Sequence, residues 1–167
     1  MRTPAVPEFR LRFPLSEVER WAARYEYEDD DAVIAAGQQA RQHGWYSRAE
    51  FLTITDWKTS RSRSRVRRNS TAAIKDATRL ALSTSEERLR IGVLTLLQGV
   101  EMPTASVLLH LAHPDPYPIL DIRAIWSLGV EKQPSYYPFE FWMAYTEACR
   151  ALAKEAGASM RTLDRAL

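Results

Sequence analysis

Apolar residues recur three and four positions apart along nearly the whole chain, which is the spacing of one face of a helix. Val18, Trp21, Ala22 and Tyr25 show this pattern near the start of the 167-residue sequence. No run that alternates apolar and polar residues is long enough for a β-sheet. The sequence therefore predicts an all-α protein.

Capping residues and helix breakers divide the pattern into predicted helices. Ser47, with Glu50 three residues later, is expected to form a capping box, and Gly157 is expected to end a long helix. The predicted helices start after Ser16 and span 29–42, 47–57, 69–82, 86–98, 103–113, 122–128 and 138–156, with a last one after Ser159. The expected caps of three of them are Asn69 or Ser70, Ser83 or Ser85, and Asp121. The helix from Glu86 carries a predicted apolar stripe made of Leu89, Val93, Leu96 and Leu97.

The length and composition are typical of one globular domain, with 46% hydrophobic and 26% charged residues. These values exclude a disordered tail and a fibrous repeat. The predicted organisation is one all-α domain over residues 1–167. A two-lobed arrangement of this domain is the alternative. Its helices fall into three groups along the chain, an N-terminal group at 15–82, a middle group at 86–129 and a C-terminal group at 138–167.

The sequence gives no indication of a cofactor, a metal site or a membrane segment. Cys149 is the single cysteine, so neither an iron–sulfur cluster nor a zinc ribbon can form within the chain. The histidines, which are His43, His110 and His113, are not spaced as metal ligands. No apolar stretch is long enough for a membrane span or a signal peptide, and the predicted location is the cytoplasm, or the nucleoid if the protein binds DNA.

The positive charge is concentrated in one segment from Lys58 to Arg68. It holds six cations and no acid, and these are Lys58, Arg61, Arg63, Arg65, Arg67 and Arg68. When they are set aside, 17 basic residues remain against 21 acidic ones, so the rest of the chain is weakly acidic. Six uncompensated cations indicate an anionic partner, because lysine and arginine neutralise phosphates without requiring a base sequence.

Trp57 precedes this segment and has two possible roles. It can stack on a base or a ribose. It also lies at helical spacing from Phe51 and Ile54, which is typical of a core residue.

The stretch from Leu97 to Ser106 reads as two helices joined by a short hairpin that contains Gly99. The second helix is expected to present unpaired backbone N–H groups at Thr104–Ser106, an arrangement that attracts phosphate. Further along, Pro118, Ile119 and Leu120 lead into Asp121 at the start of another helix.

At these residues the chain resembles the helix-hairpin-helix DNA glycosylases. The family hairpin has a leucine, any residue, a glycine, a hydrophobic residue, a second glycine and then an alanine. Leu97, Gly99, Val100 and Ala105 match this pattern, and the proline and aspartate that follow in the family are approximated by 118–121. The resemblance is strongest over 86–129 and implies an all-helical fold of two lobes.

The resemblance assigns Asp121 the place of the catalytic aspartate, which stabilises the positive charge that forms on the sugar or activates a water. The alternative role of Asp121 is to cap its helix. Two residues differ from the family pattern and limit the chemistry that the resemblance implies. Pro103 stands near the position of the lysine nucleophile of bifunctional members, so only a monofunctional N-glycosylase is expected. Glu101 replaces the second hairpin glycine and adds negative charge where a phosphate would approach.

The implied partner is DNA. Besides the six cations, the expected DNA contacts are Gly99, Val100, Thr104 and Arg123. The expected base pocket is Trp57, Tyr137 and Trp142, since aromatic faces hold flipped bases. Two other functions remain open: a non-catalytic nucleic-acid-binding or protein-interaction module on the same scaffold, and an acidic protein as the partner of the basic segment.

Overall fold

The computed structural model describes residues 6–26, 30–132 and 134–167. Helices, turns and loops account for these residues and no strand is found among them, which confirms the all-α prediction. A 3₁₀ turn spans Leu15–Glu17. In chain order the α-helices of the described residues are α1 (Val18–Ala22), α2 (Asp30–His43), α3 (Arg48–Lys58), α4 (Arg63–Val66), α5 (Thr71–Ser83), α6 (Glu87–Thr95), α7 (Met102–Ala112), α8 (Ile122–Ser127), α9 (Phe139–Ala156) and α10 (Met160–Ala166).

The described residues form two compact units. The terminal unit combines the residues up to 26 with those from 117 onward, and therefore holds α1 and α8–α10. The central unit lies between residues 30 and 116 and holds α2–α7. The basic segment and the hairpin thus belong to the central unit, and Asp121 belongs to the terminal unit.

The terminal unit is held by α9 and by the extended start of the chain. α1 and α9 both pack on α10. The backbone N–H groups of Arg10 and Arg12 donate to the carbonyls of Leu128 and Ser127, both at 2.9 Å. The fully buried phenol of Tyr145 on α9 donates to the carbonyl of Ile119 at 2.7 Å. These bonds satisfy polar groups that would otherwise be buried without partners.

The central unit is built on close contacts of α2 with α3 and α7, and of α5 with α6. At Gly37 the α2 backbone approaches α7 so closely that an added Cβ would lie 2.5 Å from the Cβ of Leu111, which leaves room only for glycine. Tyr46 is buried in the core, where its phenol donates to the Leu108 carbonyl at 2.7 Å. Phe51, Ile54 and other apolar side chains fill the rest of this core.

Most of the predicted caps are confirmed. Ser47 and Glu50 form the capping box of α3, and Ser159 caps α10. Ser70, rather than Asn69, caps α5. Asp121 caps α8, and Gly157 ends α9 in the left-handed conformation. Of the residues expected to start α2, Asp29 lies outside the described residues.

Two predicted caps are wrong. Ser16 lies inside the 3₁₀ turn that follows Pro14, and no side chain caps that turn. Ser83 is the last residue of α5 and neither it nor Ser85 caps α6, whose N-cap is Glu86 without a side-chain bond. In the loop between α5 and α6, the Thr84 hydroxyl accepts the Glu86 N–H at 3.1 Å.

The apolar stripe predicted on α6 is correct only in part, because Leu97 is buried and Val93 is half-buried. Leu89 and Leu96 are exposed, while Ile91 and Leu94 are buried. Arg90 is buried on the same face, where hydrogen bonds offset the cost of burying its charge. Its guanidinium donates to the carbonyl oxygens of Ala81, at 2.8 Å, and of Thr84.

Candidate nucleic-acid interface

The basic segment folds into α4 and the turns on each side of it. Val66 and Ser62 point inward and are buried, whereas Arg61, Arg63, Arg65, Arg67 and Arg68 are exposed. Lys58, the last residue of α3, is half-buried. The spacing of the inward residues therefore places five guanidinium groups in solvent.

Acidic partners compensate part of this charge, so the prediction of six uncompensated cations is wrong. Asp56 on α3 accepts from Arg67 at 2.6 and 2.9 Å and from Arg63 at 3.3 Å. The hydrogen bond from Arg67, with the charges of both arginines, lowers the pKa of Asp56. Arg65 lies 3.7 Å from the carboxylate of Glu101. Two carboxylates therefore offset part of the positive charge of the exposed arginines.

The hairpin between α6 and α7 lies directly against the basic segment. Gly99 has a φ of 79°, and a Cβ there would lie 2.9 Å from the Cβ of Arg65 and 3.0 Å from the backbone nitrogen of Val66. A side chain at this position would be strained by the backbone and would push the basic segment away. Both the positive φ and the close approach of the basic segment therefore require glycine at position 99.

The start of α7, on the second arm of the hairpin, differs from the sequence prediction. This helix already begins at Met102, and the Ala105 N–H donates to the Glu101 carbonyl at 2.9 Å. The prediction that the N–H groups of Thr104–Ser106 are unpaired is therefore wrong for Ala105. Val100 and Thr104 are both buried, so neither predicted DNA contact presents an exposed surface to a ligand.

Two residues outside the predicted DNA contacts, Asn69 and Arg48, hold the surface in place. The buried amide of Asn69 donates to the carbonyls of Val66 and Gln98, both at 2.9 Å, and accepts the Gln98 N–H at 2.8 Å. Arg48 donates to the carbonyls of Arg67, at 2.7 Å, and Asn69. The sequence carries no signal for Arg48, and it indicates Asn69 only as a possible helix start. We call the surface formed by residues 58–68, Asn69 and residues 98–101 the cationic surface.

In the terminal unit the structure associates Asp121 with Tyr137. The Asp121 carboxylate is half-buried and accepts the Arg123 N–H at 2.9 Å. Burial, and next the charge of Asp121, raises the pKa of Tyr137. The side chain of Arg123 is exposed at the first turn of α8.

The other two aromatic residues expected in the base pocket differ in exposure. Trp142 is fully buried and its ring stacks on Tyr117 with 5.8 Å between centroids. Its ring is part of the core of the terminal unit and has no face for a base, so this assignment is wrong. Trp57 is half-buried near the end of α3 in the central unit.

No helix within the described residues is long and apolar enough to cross a membrane. No three histidine, cysteine, aspartate or glutamate side chains among those residues are grouped to bind a metal ion. Comparisons of the chain with protein-family profiles, with curated proteins and with solved structures give no match.

Proposed function

We propose that this protein binds DNA through the cationic surface and acts as a monofunctional DNA N-glycosylase of the helix-hairpin-helix type. One observation carries the DNA-binding part. Two stretches that the sequence marked separately, residues 58–68 and the Gly99 hairpin, form one surface in the central unit. Its excess of positive charge suits a phosphate backbone, which dominates the affinity of proteins for DNA.

The resemblance of residues 86–129 supports the glycosylase part, and the division of the chain into two helical units is what that resemblance implies. Asp121 would face the sugar of a flipped nucleotide and stabilise the positive charge that develops there. The bond between C1′ and the base breaks, the oxygen of a water bonds to C1′, and that water gives a proton to Asp121. The base leaves after taking up a proton from solvent. Tyr137 would lie beside this carboxylate.

The DNA-binding part is tested by the salt dependence of binding to a plain duplex, measured by fluorescence anisotropy. The double variant Arg61→Ala/Arg68→Ala is expected to reduce the slope of log K against log salt by about two, because about 0.9 counterions are released for each phosphate contact. These two arginines are exposed and are suited to phosphate contact. Arg20→Ala/Arg24→Ala in the terminal unit is the matched control, since it removes the same charge and should leave the slope unchanged. Equal effects of the two variants would contradict the proposal.

The catalytic part is tested by incubating the protein with duplexes that carry a panel of damaged bases and assaying abasic sites. Release from at least one substrate is expected, and Asp121→Asn should abolish it while duplex affinity stays the same. A helix cap is retained in this variant because asparagine also caps well. Release that survives in Asp121→Asn would exclude the proposed chemistry.

A second candidate is a non-catalytic nucleic-acid-binding or protein-interaction module on the same scaffold, and the position of Glu101 favours it over a glycosylase that grips phosphates at the hairpin. Glu101 places a carboxylate on the hairpin, 3.7 Å from Arg65, where it opposes the close approach of a phosphate. If the protein binds duplex DNA with a steep salt dependence and releases no base from any substrate, this second function is the correct one.

A further inference from the structure

Trp57 differs from the other tryptophans in what lies against its ring. In the other four, an aromatic ring or a cation is in contact with the indole. These contacts join Trp21 to Phe13 and Arg24, Trp45 to His43 and Lys75, Trp126 to Arg12, and Trp142 to Tyr117 and Phe139. Trp57 has no contact of either kind among the described residues. It is only half-buried, so it is partly open to solvent.

Trp57 lies at the end of α3, next to the cations of the cationic surface. Lys58 follows it directly, and Asp56, which precedes it, accepts hydrogen bonds from Arg63 and Arg67. These bonds hold α4 beside the end of α3. A strand whose phosphates contact the exposed arginines would therefore pass close to the indole of Trp57.

A partly open indole can stack on a base only where the base offers a free face. Every base has a flat π face, so stacking on tryptophan does not depend on the base sequence. In a duplex, both faces of an internal base are covered by its neighbours in the stack, whereas an unpaired base can leave a face free. The ring of Trp57 therefore fits a strand with unpaired bases better than it fits a plain duplex.

We propose that the cationic surface binds single-stranded DNA, with Trp57 stacked on one unpaired base and the exposed arginines on the neighbouring phosphates. The inference rests on the proposed DNA binding and adds the class of DNA, which is a strand with unpaired bases, as in a gap or an overhang. A plain duplex is still bound through its phosphates, but Trp57 contributes nothing to its affinity.

The experiment measures the binding of the full chain to three probes by fluorescence anisotropy. These are an oligothymidine, a strand of the same length whose sugars carry no bases, and a plain duplex. The two single strands carry the same phosphates, so a difference between them reports contacts to bases. We expect the base-free strand to bind about five- to tenfold more weakly than oligothymidine. Trp57→Ala should weaken the binding of oligothymidine by a similar factor and leave the other two affinities and the salt slope unchanged, because no charge is removed.

Two further substitutions separate stacking from packing. Trp57→Phe keeps an aromatic face and should retain most of the affinity for oligothymidine. Trp57→Leu keeps an apolar side chain without such a face and should bind like Trp57→Ala. Trp126→Ala is the matched control, because Trp126 is 55% exposed and belongs to the terminal unit. It should bind all three probes like the wild type, and circular dichroism verifies that each variant is folded.

The outcomes separate this inference from the proposed function. If the wild-type protein binds none of the three probes, the proposed DNA binding fails and the stacking fails with it. If the probes bind with a steep salt dependence but Trp57→Ala binds oligothymidine as tightly as the wild type, the stacking alone is wrong. Equal losses of affinity for oligothymidine and for the plain duplex would show that Trp57 only supports the shape of the surface, and would also overturn the stacking.

Discussion

The side chain of Asn69 pairs with the main chain of Gln98 in both directions. Its Oδ1 accepts the Gln98 N–H at 2.8 Å, and its Nδ2 donates to the Gln98 carbonyl at 2.9 Å. The same Nδ2 donates to the Val66 carbonyl at the end of α4. One amide group therefore connects the basic segment to the hairpin, although the two are about 30 positions apart in the sequence.

Asn69→Ala should destabilise the central unit by about 1–3 kcal/mol, because the buried Val66 carbonyl and the main-chain N–H and carbonyl of Gln98 lose these bonds. The change is measured by urea unfolding, and by hydrogen exchange at the Gln98 amide, which should become faster. Ser70→Ala is the control, since it removes the cap of α5 but leaves the Gln98 amide bonded. Protection of that amide in Asn69→Ala equal to the wild type would contradict the assigned role.

Two glycines close to each other in sequence should respond in opposite ways to alanine. Gly99→Ala should destabilise the protein by at least about 1–2 kcal/mol, because its φ is positive and the new Cβ would press on Arg65. Gly92→Ala in α6 should stabilise it by up to about 1 kcal/mol, since open space surrounds the position and alanine favours a helix. Thermal unfolding of both variants checks the two signs, and a common sign would be inconsistent with this geometry.

Local signals explain why much of the fold could be predicted from the sequence. Ser47 with Glu50, Ser159, Asp121 and Gly157 act through bonds and dihedrals within a few residues of themselves, and all were predicted correctly. The inward face of α6 depends on α5 and α7 instead. Periodicity favoured Leu89 and Leu96, and it could not show that the carbonyls of Ala81 and Thr84 would accept a buried Arg90.

In the candidate site, too, local features could be predicted from the sequence and long-range contacts could not. The cations of residues 58–68 and the hairpin were visible in the sequence, but their contact was not. Asp56 compensates Arg67 from eleven residues away, and Asn69 reaches Gln98 across two helices. Pairings at such distances are set by the packing of helices, which composition and spacing do not encode directly.

Glu101→Gln should increase the affinity for duplex DNA by about two- to fivefold at 0.05 M salt. The substitution removes a negative charge from the cationic surface and releases Arg65 from its ion pair at 3.7 Å. The gain should shrink at 0.2 M salt because exposed charges are then screened. Anisotropy titrations at both salt concentrations measure the effect, with Glu155→Gln on α9 as the charge-matched control. Weaker binding of Glu101→Gln would mean that Glu101 positions Arg65 instead of opposing DNA.

The last prediction concerns the buried pair of Arg90 and His113, which are 5% and 4% exposed. An Nη1 atom of Arg90 lies 2.5 Å from Nε2 of His113. The Asp115 N–H lies 3.0 Å from the other ring nitrogen, Nδ1, so N–H donors face both nitrogens of the ring and oppose its taking up a second proton. Burial, and next the charge of Arg90, lowers the pKa of His113, while the nearby carboxylates of Asp115 and Glu87 oppose the shift.

The sign of the pH effect follows from this shift. Between the lowered pKa and the unfolded value of about 6.5, the unfolded chain binds more protons than the folded one. The free energy of unfolding is therefore expected to fall as the pH decreases below about 6.5, and to be independent of His113 well above it. Urea unfolding between pH 5 and 8 measures this dependence. His113→Gln should lose it even if the variant is less stable throughout, whereas His43→Gln, at an exposed position, should retain it. A profile of His113→Gln parallel to the wild type would show that another group causes the acid sensitivity.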